Sequence, residues 1–317
     1  MTRSSAAYIL LLSTFVVLFQ SCGGSSKTED TPTSGSTTIF VDQTFKPIIA
    51  EEIQVFEGLY SKAKVAARYT SEIEAINALI KDSTQSIVTT RLLTDKEKAY
   101  FKSKQLVPRV TKIATDGIAL IINKKNTDSL ISVDQLRKLL TGSIKAWNQI
   151  GKGAISGNIK VIFDNQNSST VRYLLDSLCG GTSLSPQISA LKSNEEVIEF
   201  VSKNSNAIGI IGVNWISNTN HKQTADFIEK VRVMAVSYAE NPTPDNSYQP
   251  YQAYLATKDY PLRRNVYIIT TDPKSGVDTG FASFVASDKG QRIILKAGLV
   301  PATQPVRVIQ VNNEYPQ

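Results

Sequence analysis

Cysteine, histidine, methionine and tryptophan are all scarce in this chain. Its 317 residues include two cysteines, one histidine, two methionines and two tryptophans. Cys22 falls in an N-terminal address described below, which leaves Cys179 alone, so no disulfide is expected. One histidine and one thiol cannot assemble a zinc site, and no metal or other cofactor is expected. His221 lies in the polar stretch Asn218-Thr219-Asn220-His221-Lys222, so a Ser or Thr nucleophile has no evident base. A Gly-x-Ser-x-Gly elbow and a nucleotide-hydrolase phosphate loop are both missing. No catalytic residue is assigned, and the chain is not expected to be an enzyme. Aromatic–basic motifs are missing too, which argues against nucleic acid as a partner.

What is present is a globular composition, 41% hydrophobic and 20% charged, long enough for two lobes with a real core. The formal charge of +7 suits an anionic ligand or an anionic surface. Residues 1–21 read as a signal peptide, with Arg3 as the charged end and an apolar run from Tyr8 to Phe19. That run is too short for a comfortable membrane span. Leu18-Phe19-Gln20-Ser21-Cys22-Gly23 resembles a bacterial lipobox, in which the cysteine is acylated. Residues 22–37 are Gly/Ser/Thr-rich and read as a flexible tether. The expected place is the cell envelope, with the chain held on a bacterial membrane through lipid on Cys22 and facing the periplasm.

Strand and helix signals then alternate, the α/β pattern. Strands are predicted at Thr37–Val41, Lys64–Tyr69, Ser86–Thr90, Gly117–Asn123, Lys160–Phe163, Ala207–Val213 and Val266–Thr270. Helices are predicted from Pro47, with an inner face of Ile49, Ile53, Phe56 and Tyr60, and across Ile73, Ile76 and Ile80. Capping signals open further helices at Thr94-Asp95-Lys96-Glu97, Ser132-Val133-Asp134-Gln135 and Ser193-Asn194-Glu195-Glu196. Val171, Leu174 and Leu178 mark another, and helical material runs from Phe281 to Ala297.

Three polar clusters sit at strand-to-helix junctions: Asp42-Gln43-Thr44-Phe45, Thr89-Thr90-Arg91, and Asn167-Ser168-Ser169-Thr170. Ligands of open α/β sheets bind at the carboxyl ends of strands, and helix N-termini favour anions. Thr44 and Ser168 serve equally well as plain N-caps. Three such clusters in one chain, one of them with an Arg, favour an oxyanion site.

In this order the motifs resemble the phosphate-binding proteins of ABC transporters, in their Bacteroidetes lipoprotein form, over about residues 38–312. Thr44-Phe45-Lys46-Pro47 is similar to the family's first anion loop, and Thr89-Thr90-Arg91 to its Ser-Ser-Arg loop. Asp116–Asn123 looks like the crossover strand, and Thr141-Gly142-Ser143-Ile144 with Trp147 like the Thr-Gly-Lys-Ile segment. Ala207-Ile208-Gly209, Ser168-Ser169-Thr170 and the tail Gly290 to Pro301 stand where the family has matching segments. The resemblance implies a type 2 periplasmic binding protein fold, two α/β lobes with a ligand cleft between them. Lobe 1 would be 38–118 plus 260–312 and lobe 2 119–259. It implies a monomer that captures inorganic phosphate or a similar oxyanion for an ABC permease. Thr44, Phe45, Thr89, Thr90, Arg91, Asn167, Ser168, Ser169 and Thr170 would bind the ligand.

Two departures bear on the ligand. Asp164 stands where the family carries an Arg, and Ser169 replaces a Gly that allows close backbone approach. Glu72 adds a carboxylate near the same place, repulsive to an anion unless protonated or paired, and Arg91 is a candidate partner. Glu72 and Asp164 would thus back the ligand-binding residues. They also favour a rival reading, an envelope interaction protein that kept the fold and lost phosphate affinity.

The anchor gives the first expected outcome. Cys22→Ala should release the protein from membranes or leave it unprocessed, because acyl chains supply the membrane affinity. Fractionation of the variant after expression checks this. A chain still cleaved after Ser21 and still in the membrane fraction would contradict it.

Overall fold

In the computed structural model of the protein, residues 30–151, 155–217 and 222–305 are described. The signal peptide, Cys22, His221 and residues 306–312 of the expected lobe 1 lie outside them. The chain opens with β1 (Gly35–Asp42), α1 (Lys46–Leu59), β2 (Ala63–Thr70), α2 (Glu72–Ile80), β3 (Ser86–Thr89), α3 (Asp95–Ser103) and β4 (Arg109–Asn123). It continues through β5 (Leu130–Ser132), α4 (Val133–Leu140), β6 (Lys160–Phe163), α5 (Ser169–Ser177), β7 (Ser189–Ala190), α6 (Asn194–Lys203) and β8 (Ala207–Gly212). It closes with α7 (Lys222–Lys230), β9 (Val231–Val233), β10 (Ala235–Ser237), β11 (Ser247–Tyr248), α8 (Gln252–Thr257), β12 (Arg263–Thr270), α9 (Val277–Ala286), α10 (Asp288–Lys296) and β13 (Val300–Pro301).

The main sheet runs β2-β1-β3-β12-β4-β8-β6-β7, with β9 and β13 also on β4. β4 organises it. At 15 residues it is about 50 Å long. Its first half pairs with β12 from Arg109 to Gly117, and its second half pairs with β8 from Ile118 to Ile122. Ile118, Ala119, Leu120, Ile121 and Ile122 are completely buried, as a strand covered on both faces must be. The two half-sheets on this shared strand form the two lobes. β1, β2 and β3 run parallel, and so do β6, β7 and β8. Their carboxyl ends therefore converge near the middle of β4. A small sheet of β11, β10 and β5 lies apart from the main one.

Local chemistry explains the element starts. Thr94 with Glu97 and Ser132 with Gln135 form the capping boxes read from sequence, and Ser71 with Glu74 forms another. Helix α2 differs from its expected stripe. Ile73 is 47% exposed, while Glu72, Ala75, Ile76 and Leu79 face inward. The buried hydrogen bonds that Glu72 makes turn the helix by one position. Tyr60 caps α1 at the surface, and Glu52 takes an inward position instead. The helical material between Phe281 and Ala297 is two helices that meet at Ser287. No described helix is long and apolar enough to cross a membrane.

Glu52 is fully buried, and neither carboxylate oxygen has a hydrogen-bond partner among the described residues. Burial, with Glu51 nearby, pushes its pKa up to about 9. The folded value lies above the unfolded one, so this group's contribution is fully present below about pH 4.5 and is lost as pH climbs toward 9. Glu52→Gln should therefore stabilise the protein at pH 8, by on the order of 2 kcal/mol. It should have little effect at pH 4. Thermal melts at the two pH values check this.

Candidate functional site

The polar residues of the site converge where the two half-sheets meet. At the end of β1, Asp42 Oδ1 accepts the Thr44 amide at 2.9 Å. Thr44 is fully buried and its Oγ1 has no partner among the described residues. The Thr44 carbonyl accepts Trp215 Nε1 at 2.8 Å, from the turn that follows β8 in the other lobe. Asp42 Oδ2 accepts the Ser169 amide at 3.3 Å, at the start of α5. Ser168 caps that helix by accepting the Val171 amide.

A buried cation that the sequence reading did not name binds these pieces together. Arg264, the second residue of β12, stands directly opposite Asp116 in the ladder with β4, and its Nε lies 3.0 Å from Asp116 Oδ2. Its Nη1 donates to Ser169 Oγ at 2.9 Å and Thr170 Oγ1 at 3.3 Å. The guanidinium carbon sits 5.3 Å from the Phe45 ring centroid, a cation–π contact. Arg264 Nη2 has no partner among the described residues. The side-chain amide of Asn214 is equally buried and unpartnered. Gly212 holds these groups close. A Cβ there would lie 2.5 Å from Thr44 Cγ2, 3.0 Å from Asn214 Nδ2 and 3.7 Å from Arg264 Nη2. The site thus offers unsatisfied buried donors around one glycine, the arrangement a small oxyanion would satisfy.

The second junction is occupied by the protein's own anion. Glu72 Oε1 accepts Thr89 Oγ1 at 2.8 Å and both the amide and Oγ1 of Thr90 at 2.7 Å. Arg172, on α5, donates through Nε to Glu72 Oε2 and through Nη2 to Thr90 Oγ1 at 2.7 Å. Burial alone would raise the Glu72 pKa; the hydrogen bonds and charge of Arg172, with the Thr90 bonds, more than offset it and hold the carboxyl below its ordinary value. Arg172 is thus the partner of Glu72, across the lobes.

Arg91 is placed differently from expectation. Its fork closes on Glu97, with both N–O distances at 2.8 Å, and it also donates to the Leu92 carbonyl. The carboxylate of the Thr94 capping box claims this guanidinium, and the cations held at the polar junctions are Arg264 and Arg172. Asn167 also stands apart, exposed, with its amide donating to Asn165 Oδ1. The structure brings together Thr44, Phe45, Ser168, Ser169 and Thr170 in one group and Thr89, Thr90 and Glu72 in the adjacent one. Asp164 is buried beside the first group, accepting Asn194 Nδ2 at 3.1 Å.

The fold defines a class, a two-lobed α/β protein whose two half-sheets share one long strand. More specifically, the chain belongs to the PBP superfamily, whose domain profile matches residues 26–289. It is similar to the phosphate-binding protein PstS of Borreliella burgdorferi, 27% identical over 92% of this chain and 96% of that one. PstS of Staphylococcus saprophyticus is 24% identical over 87% and 83%. Among solved structures, an ABC-type phosphate transport receptor from Vibrio cholerae shares the fold. Its TM-score is 0.63 at 21% identity, covering 84% of this chain and 100% of that one.

The site's acids set a pH dependence. Burial, then the charge of Asp42, pushes Asp164 up to about 6. Burial pushes Asp116 up to about 6 as well, against the lowering effect of Arg264. Both folded values lie above the unfolded 3.8. Their stabilising contribution is therefore fully present below about pH 4 and lost as pH rises through 6. Asp164→Asn removes one of these titrations. Its ligand-free melting temperature should fall less between pH 5 and pH 7.5 than that of the wild type. An unchanged pH slope would contradict this assignment.

Proposed function

We propose that the protein is a solute-binding protein that captures inorganic phosphate, or a closely similar oxyanion, between its lobes and delivers it to an ABC permease. One observation carries the reading. The buried donors Thr44 Oγ1 and Arg264 Nη2 have no partners among the described residues, both side chains lie against Gly212, and the same guanidinium reaches the start of α5 through Nη1. A helix N-terminus, a guanidinium and hydroxyls are together an oxyanion's preferred surroundings. The relatives named phosphate-binding protein, matched over most of both chains, support the same ligand class. Thr44, Phe45, Ser169, Thr170, Arg264 and Asn214 form the ligand's surroundings in this reading. Thr89, Thr90 and Glu72 form the adjoining wall, and Arg172 and Asp164 support it. The lobes close about the middle of β4 and the start of β12, as the division near residues 118 and 260 implies. The mature chain is monomeric, held on a bacterial membrane by lipid on Cys22 and facing the periplasm. It binds and releases its ligand without chemical conversion.

A second reading has its own observation. Asp42 and Glu72 already take the amides of Thr44, Ser169 and Thr90, so the cleft's own carboxylates use donors that an external anion would need. In that reading the protein keeps the fold and serves as an envelope interaction protein.

Titration calorimetry with phosphate and with sulfate separates the two. Binding of either oxyanion by the wild type is expected. Thr44→Val keeps the shape of the side chain and removes its hydroxyl. A hydrogen bond to a charged ligand is worth roughly 1.5–3 kcal/mol, so the variant should bind roughly ten- to hundredfold more weakly. Asn214→Ala should also weaken binding. Absence of heat with both anions in the wild type would sink the capture reading.

A further inference from the structure

One flank of the first lobe combines positive charge with exposed apolar side chains. Residues 91–112 contain seven Lys and Arg against Asp95 and Glu97, which leaves +5 of the chain's +7 in 22 residues. Glu97 is already spent on Arg91. Of nine large hydrophobic side chains exposed in the described residues, four lie in this stretch: Leu92, Tyr100, Val107 and Val110. Val107 is 84% exposed. A groove of about 490 Å³ runs beside α3, with Leu93, Leu106 and Pro108 in its walls and Lys98 and Lys102 at its edge. Lys98 pairs with Asp95 at 3.1 Å, an exposed contact that water and salt readily loosen.

The place of this flank in the fold is informative. Arg109, between Pro108 and Val110, donates to the Asp272 carbonyl and to Thr279 Oγ1. The same 272–280 segment receives the start of the described chain. Val277 donates its amide to Asp30 Oδ1 at 3.1 Å, and the Pro32 carbonyl lies against Gly280, 1.8 Å from where a Cβ would stand. This end of the lobe lies seven residues along β4 from Asp116, about 23 Å from the cleft.

We propose that this face docks on an anionic phospholipid surface and holds the cleft away from it. Lysines on long stems around singly protruding apolar side chains suit a headgroup layer, where the stems lie along apolar material and the ammonium groups meet phosphates. The chain enters the domain at this same end. The eight residues from Cys22 to Asp30 can span at most about 28 Å, so an acyl group on Cys22 would keep this face within reach of the bilayer. The orientation rests on the anchor reading, whereas the lipid affinity of the face does not.

The test uses the mature chain from residue 22 with Cys22→Ala, which carries no acyl group. It is sedimented with vesicles of phosphatidylglycerol and phosphatidylethanolamine, and with vesicles of phosphatidylcholine alone. Binding to the anionic vesicles that falls with added salt is expected, with none to phosphatidylcholine. The double variant Lys98→Glu, Lys102→Glu should lower partitioning by at least about tenfold. Val107→Ser should lower it as well, with the melting temperature of both variants unchanged because these side chains are exposed. No binding to anionic vesicles at low salt, or equal binding by the charge-reversed variant, would overturn the proposal. So would retention by protein-containing native membranes alone, which would give the face a protein partner. Failure of acylation in the wild type leaves the vesicle result standing, so the two readings fail separately.

Discussion

The structure depends on a guanidinium that has left water. Arg264 is 4% exposed, and removing a cation from solvent costs several kcal/mol unless it is paired and hydrogen-bonded. Its partners come from distant parts of the chain: Asp116 on β4, Phe45 after β1, and Ser169 and Thr170 on α5. Satisfying one side chain therefore fixes the first lobe's sheet against the second lobe's helix. It also leaves one donor, Nη2, unspent. An unspent donor on a buried cation is costly in the free protein and becomes favourable when an anion arrives. This links the cost of the ligand-free site to its affinity for a ligand.

The charges around Arg264 follow from the same constraint. Asp42, Asp116, Asp164 and Glu72 are all buried, with Arg172 and Arg264 among them. Not every carboxyl can ionise in so small a dry volume. Glu72 wins the charge, because Thr89, Thr90 and Arg172 together give its oxygens several donors. Asp42, Asp116 and Asp164 are pushed upward by burial. The Asp at position 164 then has a physical account. It accepts Asn194 Nδ2 and lies within electrostatic reach of Arg264, which comes from another strand.

Much of the frame was legible because its signals are local. Capping boxes occupy four consecutive residues, and Thr94 with Glu97 and Ser132 with Gln135 could be read directly. The all-apolar run Ile118–Ile122 announced a strand buried on both faces. The cations were not legible in the same way. The expected strand began at Val266, yet Arg264 shares the buried face with Val266 and Ile268. A charged residue on the apolar parity of a strand was the available signal. Arg172 and Glu72 are 100 residues apart, and nothing local ties them together. Arg91 misled because its own loop held a nearer claimant, Glu97.

The contrast between Arg91 and Arg172 shows why junction motifs alone cannot rank the donors of a cleft. Both are arginines within two residues of a threonine, Arg91 in the turn after β3 and Arg172 in the first turns of α5. Arg91 belongs to a short loop whose capping carboxylate sits six residues away, so its pairing closes at little entropic cost and stays on one lobe. Arg172 sits in the first turns of α5, opposite a carboxylate from the other lobe. Its pairing bridges the two lobes and is partly shielded from solvent. The Glu72–Arg172 pair therefore holds one lobe against the other, whereas the Arg91–Glu97 pair contributes to the stability of one lobe. In the capture reading, a ligand that binds beside Glu72 therefore meets two lobes that this pair already links.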